Sequence, residues 1–201
     1  AALADLDQAI ERAPKDADQR LARAVLRHLV HDDSGALADA SAARALIAPQ
    51  SLSVAGLADL YDELGHAKDA VGLFDQVIAS HQDDSRLGRL LNGRCWSRAL
   101  ANVELDDALS GCNRALKLTG NASAVLDSRA LVLFRRKDFA GALADYDAIL
   151  KANPKQAWSL YMRGTTLRAL GQTEKGKADQ AAAVALDAEV RKRASEYGLA
   201  E

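Results

Sequence analysis

The sequence predicts an all-α chain of stacked helical hairpins, and three observations predict it. The first is composition. Of 201 residues, 42 are Ala and 30 are Leu, while aromatics supply only 4% and charged residues 27%. Small, helix-favouring and charge-rich chains suit helices packed closely on helices; sandwiches and barrels want β-branched and aromatic residues instead. The second is a repeat. Ala24, Ala36 and Ala43 are spaced by 12 and 7, and the same spacing returns at Ala58, Ala70 and Val77, at Trp96, Ala108 and Ala115, at Ala130, Ala142 and Ile149, and at Gly164, Gly176 and Ala183. The third is that each set falls on two amphipathic segments separated by a short turn, as an α-hairpin requires.

Successive sets are offset by 34, 38, 34 and 34 residues, which divides the chain into repeats 17–50, 51–88, 89–122, 123–156 and 157–190. A half repeat, 1–16, precedes them, because Ala2 and Ala9 lie 34 residues before Ala36 and Ala43. In the fourth repeat the pattern predicts a helix from Ser123 to about Arg135, a turn at Lys137-Asp138, and a second helix from Phe139 that Asn153-Pro154 ends. Leu64-Gly65 and Leu170-Gly171 mark the same mid-repeat turn, where glycine supplies the left-handed conformation that helix ends favour. The small residues permit close crossing, since helices approach to about 8 Å only where side chains at the contact are small. Ser85 to Gly88 reads as a four-residue insertion that lengthens the second helix or the turn after Ile78. A stripe at Val190, Ala194 and Tyr197 predicts a helix over about 187–197 that caps the last apolar face.

This pattern resembles the tetratricopeptide repeat over essentially the whole chain. The marks are the small residues above, Leu64-Gly65, Leu170-Gly171, Tyr61, Tyr146 and Pro154; Trp96 and Gln180 depart from it. The resemblance implies a right-handed superhelix whose first helices line a concave groove. It also implies protein or peptide partners. Relatives that hold the C-terminal carboxylates of chaperones use Lys, Asn and Arg on successive first helices; here Asp59 and Asp127 stand in the way.

Comparing repeats adds pairings. Arg23/Asp39, Arg129/Asp145 and Arg163/Asp179 are each 16 apart, which places each pair face to face across a hairpin. The second repeat has Leu57 and Leu73 there, so both charges change together, as a partly buried ion pair demands. The third has Cys95, with Cys112 next to Gly111. The two cysteines are equidistant from the turn near Val103-Glu104. They form either a disulfide or two free thiols that fill space, with Trp96 replacing lost volume. A bridge would favour an exported or periplasmic home, and free thiols a cytoplasmic one.

Signals for chemistry are thin. A net charge of −2 and ample apolar content exclude disorder and a general nucleic-acid partner, and no run of 18 apolar residues exists to span a membrane. Gly171 to Lys177 matches GxxxxGK, but Ala178 replaces the hydroxyl residue and a helix precedes the motif, so both glycines belong to the repeat. His28 and His31 lack further ligands at metal spacing. Asp32-Asp33, Asp83-Asp84 and Asp106-Asp107 fall at helix starts, where acids cap free N–H groups. No catalytic residue, cofactor or metal is expected.

The expected binding surface is the groove of repeats three to five: Arg94, Asp127, Leu131, Phe134, Arg135, Trp158, Tyr161, Thr165 and Arg168. It combines aromatic anchors with Arg, the types enriched at binding hot spots. Packing between repeats is the competing reading of Trp158 and Phe134. The chain is expected to be a non-catalytic scaffold. The alternatives are the regulatory or targeting arm of a multidomain enzyme whose catalytic domain lies upstream, or a self-association module that uses residues 1–12. Asp5 stands at the Asp position of a hairpin whose first helix is missing, so the chain is expected to be a fragment of a longer protein.

Overall fold

The computed structural model describes residues 2–199; Ala1, where the half repeat begins, lies outside them. The described residues form twelve helices and no strand. They divide into two compact units, with the boundary between Gly93 and Arg94.

The first unit contains α1 (Ala2–Arg12), α2 (Ala17–Leu29), α3 (Asp33–Arg44), α4 (Ser53–Glu63), α5 (Ala67–Ala79) and the start of α6 (Leu87–Ala101). Here α2 packs on α3 and α4 on α5. Ala24, Ala36, Ala40 and Ala43 are wholly buried, which makes the α2–α3 crossing a close one. Asp16 caps α2 by accepting from the Gln19 N–H, and Asp32 caps α3 by accepting from that of Gly35. Leu87 and Gly88 of the insertion enter α6, so Ser85 and Arg86 alone lengthen the connection from α5, and the second helix is not extended. The connection is held by Asp84, whose carboxylate accepts from the Arg86 backbone N–H and Nε, both at 2.8 Å.

The second unit contains the rest of α6, then α7 (Leu105–Thr119), α8 (Ser123–Arg135), α9 (Phe139–Ala152), α10 (Ala157–Ala169), α11 (Thr173–Leu186) and α12 (Val190–Glu196). Its tightest crossing lies between α10 and α11. A Cβ on Gly164 would stand 2.6 Å from the Gly176 carbonyl oxygen, and one on Gly176 would stand 2.5 Å from that of Gly164. The second glycine of the GxxxxGK match is therefore a packing residue. Tyr146, Leu131, Ile149, Met162 and Val132 fill the core.

Within each hairpin the position at the centre of the first helix carries one of three chemistries. Arg23, Arg129 and Arg163 each grip the facing Asp through two donors. Nε and Nη2 of Arg23 donate to Asp39 at 2.7 and 2.6 Å, those of Arg129 to Asp145 at 2.8 and 2.6 Å, and those of Arg163 to Asp179 at 2.6 and 2.9 Å. Such bidentate charge-assisted bonds are strong and directional. The partner raises the pKa of each guanidinium against the opposing effect of burial. Leu57 and Leu73 are buried in the second hairpin. In the third, a disulfide joins Cys95 to Cys112, with Cα atoms 5.7 Å apart.

Asp39 meets a second cation besides the one that faces it. It is buried, and besides Arg23 it meets Arg27, whose Nη1 stands 3.0 Å from Asp39 Oδ2. Arg27 follows Arg23 by four residues on α2, one helical turn, so both guanidinium groups reach the same facing carboxylate. A buried carboxylate carries more acceptor capacity than one fork of donors uses, and the second arginine takes up what is left. Spacing by 16 finds Arg23 and passes over Arg27.

Each of the three facing arginines also has an acceptor outside its own hairpin. Arg23 Nη1 donates to Asp7 of α1 at 2.6 Å, Arg129 Nη1 to Asn113 of α7 at 3.0 Å, and Arg163 Nη1 to Asp147 of α9 at 3.0 Å. All three acceptors precede their arginine by 16 residues. Each arginine thus ties its own hairpin to the helix before it.

Candidate functional site

The first helices of the three repeats in the second unit are α6, α8 and α10. Two tryptophans, Trp96 on α6 and Trp158 on α10, stand edge to face with ring centres 5.8 Å apart. Tyr197, the residue that ends α12, completes a cluster with them. Its ring lies 6.3 Å from Trp96 and 5.9 Å from Trp158, again edge to face, the geometry that aromatic quadrupoles favour. The guanidinium of Arg193 lies over the Trp158 ring at 5.8 Å.

Arg135, at the end of α8, holds the backbone beside this cluster. Its Nη2 donates to the Tyr197 carbonyl at 2.6 Å, its Nη1 to that of Gly198 at 3.4 Å, and its Nε to that of Ala99 at 3.2 Å. A cation at the last carbonyls of a helix also complements the helix dipole. The turn that presents those carbonyls depends on Gly198, whose φ is +63°. Its N–H donates to Ser195 O, and the Leu199 N–H donates to Ala194 O, so α12 ends in a Schellman turn with the Leu199 side chain buried.

The C-terminal segment therefore does more than cap. Val190 and Ala194 are buried where α12 packs on α10 and α11, and the residues after α12 reach α8 and α6. The segment touches the first helices of three repeats.

The expected groove residues separate into groups. Arg135 and Trp158 converge on the segment, joined by Trp96, which lies outside the expected set. Trp96 points to Trp158 and Tyr197, and it packs against the core cluster that holds Cys95 and Cys112. Leu131, Tyr161 and Thr165 are 0, 3 and 2% exposed, so they present no surface to a partner in this arrangement. Thr165 accepts from Gln180 Nε2 and donates to its own helix at Tyr161 O. Phe134 packs on Phe139 at the hairpin turn, with ring centres 5.4 Å apart. Arg168 lies along α11, where its Nη1 donates to Gln180 at 3.4 Å. Arg94 is half-buried, and its Nη2 stands near Gly111 of α7.

Asp127 sits beneath this face and accepts from the Ser159 hydroxyl at 2.9 Å. Burial pushes its carboxyl up to about 7, against the lowering effect of that hydrogen bond. The hydroxyl of Tyr146 is pushed well above its ordinary range, first by burial and then by the charges of Asp127 and Asp145. The Trp158 Nε1–H is buried and meets no acceptor among the described residues.

The first-helix face of the first unit differs. Its acids are engaged near the surface: Asp18 accepts from Ser53 at 2.9 Å, Asp59 from Arg89 at 2.8 Å, and His28 stands 2.7 Å from Asp33. Asp62 is buried. Among the described residues no group of three His, Cys, Asp or Glu side chains is placed to hold a metal, and no helix is long and apolar enough to cross a membrane.

Comparison with known proteins bears on the repeat. A family model described as tetratricopeptide repeat matches residues 145–178. A search of curated proteins finds no matching sequence. Among solved structures, a tetratricopeptide repeat protein from Parabacteroides merdae superposes with a TM-score of 0.71 at 13% identity, covering 97% of this chain and 80% of that one. The pilF protein of Pseudomonas aeruginosa gives 0.63 at 16% identity, with 95 and 86% covered. YrrB, described as a tetratricopeptide repeat protein with an unusual peptide-binding site, gives 0.55 at 21% identity, with 92 and 93% covered. Five hairpins in one register, a family-model match over residues 145–178, and repeat structures that superpose on most of the chain agree: the chain has the all-α fold of tetratricopeptide-repeat solenoids, and residues 145–178 carry a tetratricopeptide repeat.

Proposed function

We propose that the chain is a non-catalytic scaffold that binds a protein or peptide on the first-helix face of repeats three to five. The observation that carries this is the convergence of Trp96, Trp158 and Arg135 from three successive first helices on one stretch of main chain. Tryptophan and arginine are over-represented among residues that dominate binding energy, since each brings large contact area with a polar handle. The fold supports the reading: repeat stacks present extended surfaces built from equivalent positions. The likeness to YrrB, whose description names a peptide-binding site, points the same way. The disulfide between α6 and α7 supports work in an oxidising compartment, where such bonds persist.

The test is selection of a displayed peptide library on the immobilised chain, with the Trp158→Ala variant as counter-selection. The expected result is a set of peptides that bind the chain and lose at least tenfold in affinity on the variant. Peptides that bind both forms equally would place recognition elsewhere.

A further inference from the structure

The surface proposed for partners is already occupied, and its occupant has a describable chemistry. Residues 190–199 bring four things to it. Val190 and Ala194 supply a small apolar stripe; Tyr197 supplies a ring to the two tryptophans; Gly198 turns the chain so that two successive carbonyls face Arg135; Leu199 fills the buried place beyond. We infer that this segment is a ligand held in cis, and that the partner is a peptide of the same kind: a short helix that ends in an aromatic residue, glycine and an aliphatic residue, and displaces the segment.

Two features favour exchange over permanent closure. The segment is anchored by only seven helical residues plus the turn after them, and most of α12 faces solvent: Arg191, Lys192, Arg193, Ser195 and Glu196 are exposed. The Trp158 Nε1–H is buried with no acceptor among the described residues, so the segment leaves one donor of the site unused. A buried unpaired donor costs free energy that an acceptor on another ligand recovers. The partner therefore carries such an acceptor, a side-chain carbonyl or carboxylate, where the chain's own segment offers none. A tethered ligand competes at an effective concentration on the order of millimolar, so an external peptide binds the intact chain more weakly than it binds a chain whose segment is released.

The inference rests on the proposed binding surface, and its test separates the two. The chain has two tryptophans, and both are in this cluster, so intrinsic fluorescence reads this site alone. The probe is a labelled synthetic peptide of residues 187–199, and the protein is the full chain with Tyr197→Ala and Leu199→Ala together. Tryptophan emission of the variant is expected to move to longer wavelength, and the peptide is expected to restore it. By anisotropy the peptide is expected to bind the variant at least tenfold more tightly than the unaltered chain. Adding Arg135→Ala to the variant is expected to abolish that binding, and Tyr197→Phe alone is expected to behave as the unaltered chain does. If the variant melts cooperatively yet neither binds the peptide nor changes emission, the inference is overturned. If in that case selected library peptides still bind in a Trp158-dependent way, the binding surface stands and only the cis ligand falls. If the peptide binds the variant and the unaltered chain equally, the segment does not compete and the inference fails.

Discussion

The hairpins α4–α5 and α8–α9 share a small-residue crossing and a short turn, and they hold together differently. Leu57 and Leu73 are buried in the first; Arg129 and Asp145 meet across the second. The difference shows that the position demands complementarity, not charge. Two apolar groups need no further partner. An ion pair near the core is worth little against a well-packed apolar pair, and it becomes costly when one member is lost. The charged version adds what the apolar version lacks, a third acceptor on the preceding helix, here Asn113. The disulfide of α6–α7 is a further solution, covalent and confined to one hairpin.

The comparison can be broken in order of expected effect. Removing the covalent pin comes first. In the chain-entropy model, reduction of Cys95–Cys112 releases a loop of about 18 residues and costs about 3 kcal/mol. Denaturant melts with and without reductant measure it, and alkylation of two thiols without reductant would show that the bond is not formed. Next, Arg129→Leu leaves Asp145 buried and unpaired. Its expected cost is about 2 kcal/mol, discounted from the fully buried case because the Arg129 side chain is 27% exposed. Adding Asp145→Leu copies the α4–α5 solution and is expected to return most of the loss; a double-mutant cycle reads the coupling, and additive losses would contradict it.

The smallest effect sharpens the contrast between paired and unpaired carboxyls. Asp127 meets a hydroxyl where Asp145 meets a guanidinium, and its folded pKa is raised to about 7. A raised carboxyl stabilises the fold below the unfolded value near 4, and that contribution is lost as pH rises toward 7. Asp127→Asn is therefore expected to raise stability by about 1 kcal/mol at pH 8 and to change little at pH 4. Melting temperatures across that range check the sign.

Much of the fold is legible because its signals are local. The spacing of Ala, Gly and Trp by 12 and 7 marks where helices cross, and a 16-residue separation marks what faces what in a hairpin. The start and end of α8, at Ser123 and Arg135, follow from periodicity and turn residues alone. The candidate site is less legible. Burial of Leu131, Tyr161 and Thr165 depends on how neighbouring first helices lie against one another, and no period encodes that. Trp96 is conspicuous as a misfit in the repeat pattern, yet only its contact with Tyr197, about a hundred residues away in sequence, says why it is large. The second acceptors at Asp7, Asn113 and Asp147 are open to inspection: a polar residue precedes each Arg by the same 16 residues that separate it from its Asp. The second cation on Asp39 is not, because Arg27 has no counterpart at the same place in the other charged hairpins: Leu133 and Leu167 stand there.

The bond between Arg135 and Tyr197 spans 62 residues, whereas each hairpin closes over 16. Short loops close early, and distant contacts come after the chain entropy between them has been spent. Helix content in the second unit is therefore expected to form ahead of the seating of its terminal segment. In a stopped-flow refolding experiment, far-ultraviolet ellipticity should recover first and tryptophan emission second. Between the two events the face of α6, α8 and α10 is expected to stand uncovered by the segment.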